Sequence, residues 1–397
     1  MARSHVLVTV TGSDQPGITA RLTGIIATST ASLLDIEQVV VQGQLTLALL
    51  LALDDDDGLL KDLLFAAKSL GVELDFAPVD PGEPGASRET QRFVVTAIGR
   101  SLGARELHAV ASTLADHQGN IERIHQLSKG ELGSVEILLG LPAGADPEPL
   151  KRALLELGMQ ESFDVALQRE GLFRRSKRLV VMDMDSTLIR IEVIDELARA
   201  HGVSDRVAAI TERAMQGEMD YDESLRQRLG LLEGLDVAVL RRIAAELPLT
   251  EGAETLIQVL KRLGYRTAVI SGGFSIAAEA LKARLGIDYA YSNTLEVTGG
   301  KLTGRVIGPI VNGKRKAELL EVIAQAEGVL LDQTIAVGDG ANDVPMLEKA
   351  GLGIAFRAKK TLRERADTSL SATGLDAILY LLGISAEELQ DATARFG

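Results

Sequence analysis

Leu179-Val180-Val181-Met182-Asp183-Met184-Asp185-Ser186-Thr187 is the stretch on which the fold of this chain turns. Arg178 to Met182 reads as a short, continuous apolar strand of the kind buried on both faces in a parallel sheet. Two carboxylates two residues apart follow it directly. In an open α/β sheet, ligands bind at the carboxyl ends of the strands. Asp183 and Asp185 can therefore converge on one site. One carboxylate can attack phosphorus and form an acyl phosphate. The other can give a proton to a leaving alcohol and later take one from water. Taken alone, such a turn is read equally well as a solvated or capping loop.

The same geometry recurs along the chain. Arg266 to Ile270 is a second strand, and Ser271-Gly272-Gly273 with a helix from Phe274 offers a hydroxyl and bare backbone N–H groups to a phosphate. Lys316 opens a helix after Asn312-Gly313-Lys314-Arg315. A cation there would steady phosphoryl oxygens and keep Asp183 ionised. Lys314 and Arg315 compete for that role on sequence grounds. Val337-Gly338-Asp339-Gly340-Ala341-Asn342-Asp343 ends another strand, Thr334 to Val337, with two more carboxylates. Magnesium takes oxygen ligands and keeps several waters. Asp339, Asp183, a backbone carbonyl at Asp185 and a phosphate oxygen would supply them, and Asp343 would orient a metal-bound water from behind.

From about residue 171 onward, strands alternate with helices, which predicts α/β architecture with a doubly wound parallel sheet. Residues 193–247 carry helical spacing and no strand pattern, so they read as a helical insertion between the first and second strands. A helix over Ala253 to Leu263, a hairpin from Tyr289 to Val306 around Thr298-Gly299-Gly300, and a late strand Gly353 to Phe356 complete this part.

The first ~165 residues read as an internal duplication. Strand His5 to Thr11, helix Ile18 to Thr30, strands Leu33 to Val41 and Leu45 to Leu53, helix Asp57 to Leu70 and strand Val72 to Val79 form a β-α-β-β-α-β unit. A second copy follows in the strands Phe93 to Ile98, Ile121 to Leu127, Val135 to Leu141 and Phe163 to Leu167. Its helices are Ala104 to His117 and Pro149 to Leu157. Pro81-Gly82-Glu83-Pro84-Gly85 reads as the linker between them. The expected divisions are residues 1–80, 90–168 and 171–397. The pair resembles tandem ACT domains, small α+β modules that bind amino acids. Asp14-Gln15-Pro16-Gly17-Ile18 matches their loop after the first strand. Gly17 would let backbone N–H groups approach a ligand carboxylate at a helix start. The resemblance implies an amino-acid effector at Asp14 and Gly17, and a homodimer. The second copy lacks the Asp-x-Pro-Gly form.

Composition excludes several classes. The chain has 397 residues, 46% of them hydrophobic and 25% charged, enough for several cores. Its net charge is -14, from 56 acidic and 42 basic residues, a poor basis for binding nucleic acid. It has no cysteine, which removes disulfides, thiolate nucleophiles and zinc–thiolate sites, and fits a reducing, cytoplasmic setting. Met1 to Gly17 lacks a signal-peptide pattern. The longest apolar stretch, Leu45 to Leu53, falls well short of the ~20 residues a bilayer needs, so no membrane partner is expected. Asp54 to Asp57 reads as a solvated helix-capping loop rather than a calcium site. Arg174-Arg175-Ser176-Lys177-Arg178 reads as a solvated basic linker.

Taken in order, D-M-D-S-T, S-G-G, Lys316 and G-D-G-A-N-D resemble the haloacid dehalogenase superfamily of phosphotransferases. The resemblance implies Asp183 as nucleophile, Asp185 as general acid and base, Ser271 and Lys316 on the phosphate, and Asp339 on the metal. More narrowly, Glu192, S-G-G-F and V-G-D-G-A-N-D resemble the phosphoserine phosphatases, whose helical cap corresponds to the insertion. That likeness implies hydrolysis of phosphoserine, the last step of serine biosynthesis, with Mg2+. It also implies that Glu192 pairs the substrate ammonium and Arg228 its carboxylate, with Arg226 as the alternative. Met215 and Gly272 would line the pocket and Asn342 would reach the substrate. Tyr221 in the cap reads as either pocket or packing.

Overall fold

The structure, a computed structural model, describes residues 4–54, 58–80, 90–100, 102–130 and 132–394. The linker expected at Pro81 to Gly85, and Asp55 to Asp57 of the acidic run, lie outside the described residues. The chain divides into two compact units, residues 1–89 and 90–397.

The first unit is a four-stranded antiparallel sheet with two helices on one face. Its strands are β1 (Ser4–Ser13), β2 (Ser32–Val41), β3 (Gln44–Leu53) and β4 (Glu73–Val79), in the order β2-β3-β1-β4. Val6, Val8 and Val10 alternate inward along β1, as a sheet with one packed face demands. They meet Ile18 and Leu22 of the helix Ile18–Ala27 and Leu59 and Leu63 of the helix Leu59–Leu70. Gly17 starts the first helix at φ +99°, a conformation that favours glycine.

The second unit begins with the duplicate: β5 (Thr90–Gly99), β6 (Asn120–Ser128), β7 (Gly133–Pro142) and β8 (Asp164–Arg169). The third segment follows with β9 (Leu179–Met182), β10 (Arg266–Phe274), β11 (Tyr289–Thr298), β12 (Lys301–Ile307), β13 (Thr334–Gly338), β14 (Gly353–Phe356) and β15 (Thr368–Leu370). The strands from β11 to β15 run parallel in the order β11-β10-β9-β13-β14-β15, and β12 closes one edge antiparallel. Leu179 to Met182 are fully buried, so central β9 is apolar on both faces. Helix Ala253–Arg262 turns Ala253, Leu256, Ile257 and Leu260 inward at helical spacing.

Two features depart from the sequence reading. First, β15 pairs antiparallel with β8 at Thr368 and Ala166, which fuses the duplicate and the parallel sheet of the third segment into one sheet of 11 strands. A three-residue strand carries too little periodicity to be read in advance. The seam is polar and buried. Asp164 accepts N–H bonds from Ser371 (2.7 Å) and Ala372 (3.2 Å) and the hydroxyl of Thr373 (2.8 Å). Gln168 donates to the Leu381 carbonyl at 3.0 Å. Second, the basic run at 174–178 is not a solvated linker. Arg174 is buried against Glu136 of β7, and Lys177 is buried with its ammonium 2.7 Å from the Asp332 carbonyl. A buried cation needs such partners, and the charge count alone does not disclose them.

The cap consists of four helices, Val193–His201, Ser204–Met215, Tyr221–Gly230 and Val237–Ala245, between β9 and β10. Its two connecting strands of chain are stitched together by an antiparallel bridge, Ile189 to Leu249, with Thr250 donating to the Leu188 carbonyl at 3.0 Å. Among the described residues, no helix is long and apolar enough to cross a membrane.

Candidate active site

The central position of β9 puts Asp183 at the point where three strand ends meet. The Asp183 N–H donates to the Val337 carbonyl of β13 at 2.9 Å, so the ladder runs to the nucleophile candidate itself. Its carboxylate accepts the Met184 N–H at 2.7 Å. The chain then makes a tight turn over Met184–Leu188 in which Ser186 adopts φ +57°, an uncommon conformation for a residue with a Cβ. That turn reverses the side chains, so the Asp185 carboxylate accepts the Val193 N–H at 3.1 Å and the Ser186 hydroxyl donates to Glu192 at 2.7 Å.

Lys316 settles the competition among the basic residues of its helix, Gly313–Ala326. It is 0% exposed, with its ammonium 2.8 Å from Asp183 and 2.7 Å from Asp343. Lys314 is exposed, and Arg315 pairs with Glu318 at 2.9 Å. Asp343 is fully buried and also accepts the Asp339 and Gly340 N–H groups at 3.1 and 3.0 Å. It thereby braces the loop that carries Asp339. Thr187 donates its hydroxyl to Asp339 at 3.2 Å. The motif D-M-D-S-T contains Thr187, but its spacing alone does not disclose this contact with a loop 152 residues away.

Ser271 is buried at the end of the regular part of β10, and its hydroxyl oxygen accepts the Gly273 N–H at 2.8 Å. The strand extends to Phe274, and the helix starts at Ser275 rather than Phe274, because Phe274 pairs with Asn293 of β11. Asn342 lies in the short turn Ala341–Asp343, its backbone against Gly313. In the cap, Arg228 is half-buried, whereas Arg226 is exposed and pairs with Asp222 at 4.0 Å. Burial therefore favours Arg228. The side chain of Met215 lies outside the described residues. Tyr221 belongs to the site: its hydroxyl donates to the Gly272 carbonyl at 3.3 Å, and the charges of Lys316, Arg228, Asp183 and Asp185 all act on it.

The electrostatics are those of a site short of positive charge. Asp183, Asp185, Asp339 and Asp343 gather around one ammonium. Burial, then the neighbouring Asp343, push the Asp183 carboxyl up to about 8 despite Lys316. Burial and Asp343 push Asp339 up to about 7. Burial, then Glu192 and Asp183, hold Asp185 well above the usual carboxylate range. Burial would discharge Lys316, but Asp183 and Asp343 outweigh it and raise its pKa. Carboxylate oxygens of Asp183, Asp339 and Asp343 lie within 4.8 Å of one another. This all-oxygen, electron-rich set fits a hard divalent cation. The Asp185 side chain is outside that cluster.

Comparison with known proteins shows the families to which this chain is similar. A model of haloacid dehalogenase-like hydrolases matches residues 177–351, and two models of ACT domains match residues 4–77 and 91–168. The phosphoserine phosphatase of Streptomyces coelicolor is 44% identical over 389 residues, covering 98% of this chain and 94% of its own. Phosphoserine phosphatase SerB2 of Mycobacterium tuberculosis is 44% identical over 395 residues, covering 99% of this chain and 96% of its own. A crystal structure of a haloacid dehalogenase family hydrolase from Salmonella enterica superposes with a TM-score of 0.65 at 33% identity, covering 73% of this chain and 98% of that one.

Proposed function

This chain belongs to the phosphoserine phosphatases of the haloacid dehalogenase-like hydrolase family, with two ACT domains, and from that premise we propose that it hydrolyses O-phospho-L-serine through an aspartyl-phosphate on Asp183. The observation that carries the mechanism is the buried Lys316 ammonium between Asp183 and Asp343, beside Asp339. That ammonium, joined by a divalent cation on the surrounding carboxylates, would hold a phosphate against Asp183.

In the first step a carboxylate oxygen of Asp183 attacks phosphorus in line. The bond from phosphorus to the serine oxygen breaks, and Asp185, kept protonated by burial, gives its proton to that oxygen. Serine leaves. Asp185, now ionised, takes a proton from water as the water oxygen attacks phosphorus. The bond between Asp183 and phosphorus breaks, and inorganic phosphate is released. Lys316, Ser271 and the backbone at Gly272 hold the phosphoryl oxygens, with Asn342 beside them. Glu192 pairs the ammonium of the substrate and Arg228 its carboxylate. Asp183, Asp339 and the Asp185 carbonyl would hold Mg2+, which when bound supplies the positive charge that phosphoryl transfer demands.

Phosphate release from phosphoserine, phosphothreonine and sugar phosphates, with and without magnesium, tests the reading. We expect phosphoserine to lead by at least tenfold and turnover to need the metal. Comparable rates on a sugar phosphate would defeat the substrate assignment.

The regulatory part of the reading rests on the first unit. A cavity of about 400 Å³ is lined by Asp14, Gly17, Thr19 and Gln38 at the start of the helix Ile18–Ala27. Its backbone N–H groups suit an amino-acid carboxylate. We assign it an amino-acid effector, with serine, the product, as the first choice. Equilibrium dialysis of serine against the full chain would detect it, and no binding would defeat that assignment. A homodimer, a cytoplasmic setting and the last step of serine biosynthesis complete the reading, as does the division into residues 1–80, 90–168 and 171–397 with a cap at 193–247.

A further inference from the structure

The first turn of the cap helix Tyr221–Gly230 is tied to the core at two points. The Tyr221 hydroxyl donates to the Gly272 carbonyl at 3.3 Å, and the Asn312 amide donates to Asp222 at 3.0 Å. The two anchor points are themselves joined inside the core. Asn293 of β11, only 1% exposed, donates to the same Gly272 carbonyl at 2.7 Å and accepts the Val311 N–H at 2.9 Å. Val311 precedes Asn312 in the chain. A closed polar ring therefore runs from Tyr221 through Gly272, Asn293, Val311 and Asn312 to Asp222.

Each of the two core anchor points stands beside a group assigned to the phosphate. Gly272 follows Ser271. Asn312 caps the helix of Lys316, accepting the Arg315 N–H at 3.0 Å. Asn293 thus sets the spacing between the serine hydroxyl and the lysine ammonium, which come from positions 45 residues apart. A buried amide satisfied at both ends keeps one orientation, because turning it would leave a donor and an acceptor unpaired. A Cβ at position 272 would collide with the Tyr221 hydroxyl, so the bare glycine reserves that space for the phenol.

We propose that Tyr221 and Asp222 are positioning residues that latch the cap over the bound ester, and that Asn293 registers the two core segments to which they fasten. This inference rests on the phosphatase reading given above. In the open cap, Tyr221 and Asp222 would exchange their core partners for water, while Asn293 would keep both of its bonds within the core. The latch closes fully only when the Ser271 and Lys316 segments are in their phosphate-holding register. Cap closure and assembly of the phosphate site are thereby one event.

Because the chain has no cysteine, Ala209→Cys in the cap and Ala283→Cys in the core, both exposed positions, give a unique pair for fluorescent labels. Energy transfer between them reports closure when inorganic phosphate or phosphoserine is added with magnesium. Tyr221→Phe removes only the hydroxyl, and Asp222→Ala removes the acceptor, while Asp222→Asn keeps an acceptor oxygen. One lost hydrogen bond corresponds to roughly a three- to tenfold effect. We expect Tyr221→Phe and Asp222→Ala each to raise KM for phosphoserine by about that factor, to leave kcat within about threefold, and to lower the closed fraction at saturating phosphate. Asp222→Asn should restore KM and closure. A packing role alone would lower thermal stability without moving KM or the energy transfer. Unchanged KM and unchanged closure in both Tyr221→Phe and Asp222→Ala would overturn the latch. Failure of the wild-type enzyme to hydrolyse phosphoserine would instead overturn the substrate reading, and closure around inorganic phosphate would still test the latch.

Discussion

Replacing Lys316 by methionine keeps the length of the side chain and removes its charge. Asp183 and Asp343 then lose a partner at 2.8 and 2.7 Å in a site from which water is excluded. Breaking a buried pair in this way costs about 3–5 kcal/mol when the remaining charge stays ionised. The carboxyl escapes part of that cost by taking up a proton. Asp183 already sits at about 8, so only about one-tenth of it is ionised at pH 7 in the metal-free enzyme. Loss of about 3 kcal/mol of pairing corresponds to roughly two further pKa units, hence about a hundredfold less ionised Asp183 in the metal-free enzyme. The phosphoryl oxygens lose a preorganised donor as well, worth another factor of about 10²–10³. Saturating magnesium would hold Asp183 ionised, so turnover reads chiefly the lost donor, and Lys316→Met should lower kcat at pH 7 by about 10²–10³, measured as phosphate release with saturating magnesium. The stability effect has a defined sign. A carboxyl whose folded pKa lies above its unfolded value of 3.8 costs stability as pH rises from about 4 through the folded value. The metal-free variant should thus lose more stability against wild type at pH 8 than at pH 5 in urea unfolding. A kcat within tenfold of wild type, together with equal stability at both pH values, would refute the electrostatic account of the site.

Three further outcomes follow from the same geometry. Asp183→Asn should abolish turnover and, by removing a buried carboxylate, flatten the decline in metal-free stability between about pH 4 and pH 8, seen in urea titrations across that range. Binding of magnesium should tighten between pH 6 and pH 8 and release about one proton near neutrality, because Asp339 at about 7 and Asp183 at about 8 must ionise to ligate it; calorimetry in two buffers of different ionisation enthalpy measures the release. Asp164→Ala unpairs the Ser371, Ala372 and Thr373 donors at the seam between β8 and β15, and should cost about 2–4 kcal/mol and split the unfolding of the second unit into two transitions by circular dichroism.

Much of this protein was legible because its signals are local. The individual strands and helices of the duplicated β-α-β-β-α-β pattern, the apolar strand before Asp183, and the Ser271 and Asp339 loops are each written in fewer than fifteen consecutive residues. Strand and helix periods of two and 3.6 are visible at that range. Glu192 and Arg228 came from resemblance to a family rather than from pattern, since an isolated charge on a helix has no local signature. What escaped was short or polar. β15 has three residues. Asn293 sits within a strand as an ordinary polar residue, and the buried Arg174 looks like any member of a basic run.

The amino-acid order by itself determined that a strand would deliver Asp183 and Asp185 to the carboxyl end of a sheet, that other strand ends would follow with Ser271 and Asp339, and that oxygen would be the available metal ligand. Only the tertiary structure decided that Lys316 rather than Lys314 or Arg315 reaches Asp183, that Arg228 is more enclosed than Arg226, and that the second βαββαβ copy shares a sheet with the catalytic segment. The physical reason is the range of the forces involved. Steric and hydrophobic periodicity acts between near neighbours in the chain. Burial, charge pairing and hydrogen-bond rings depend on which distant segments pack together, and a charge acquires its role from the groups that exclude water around it.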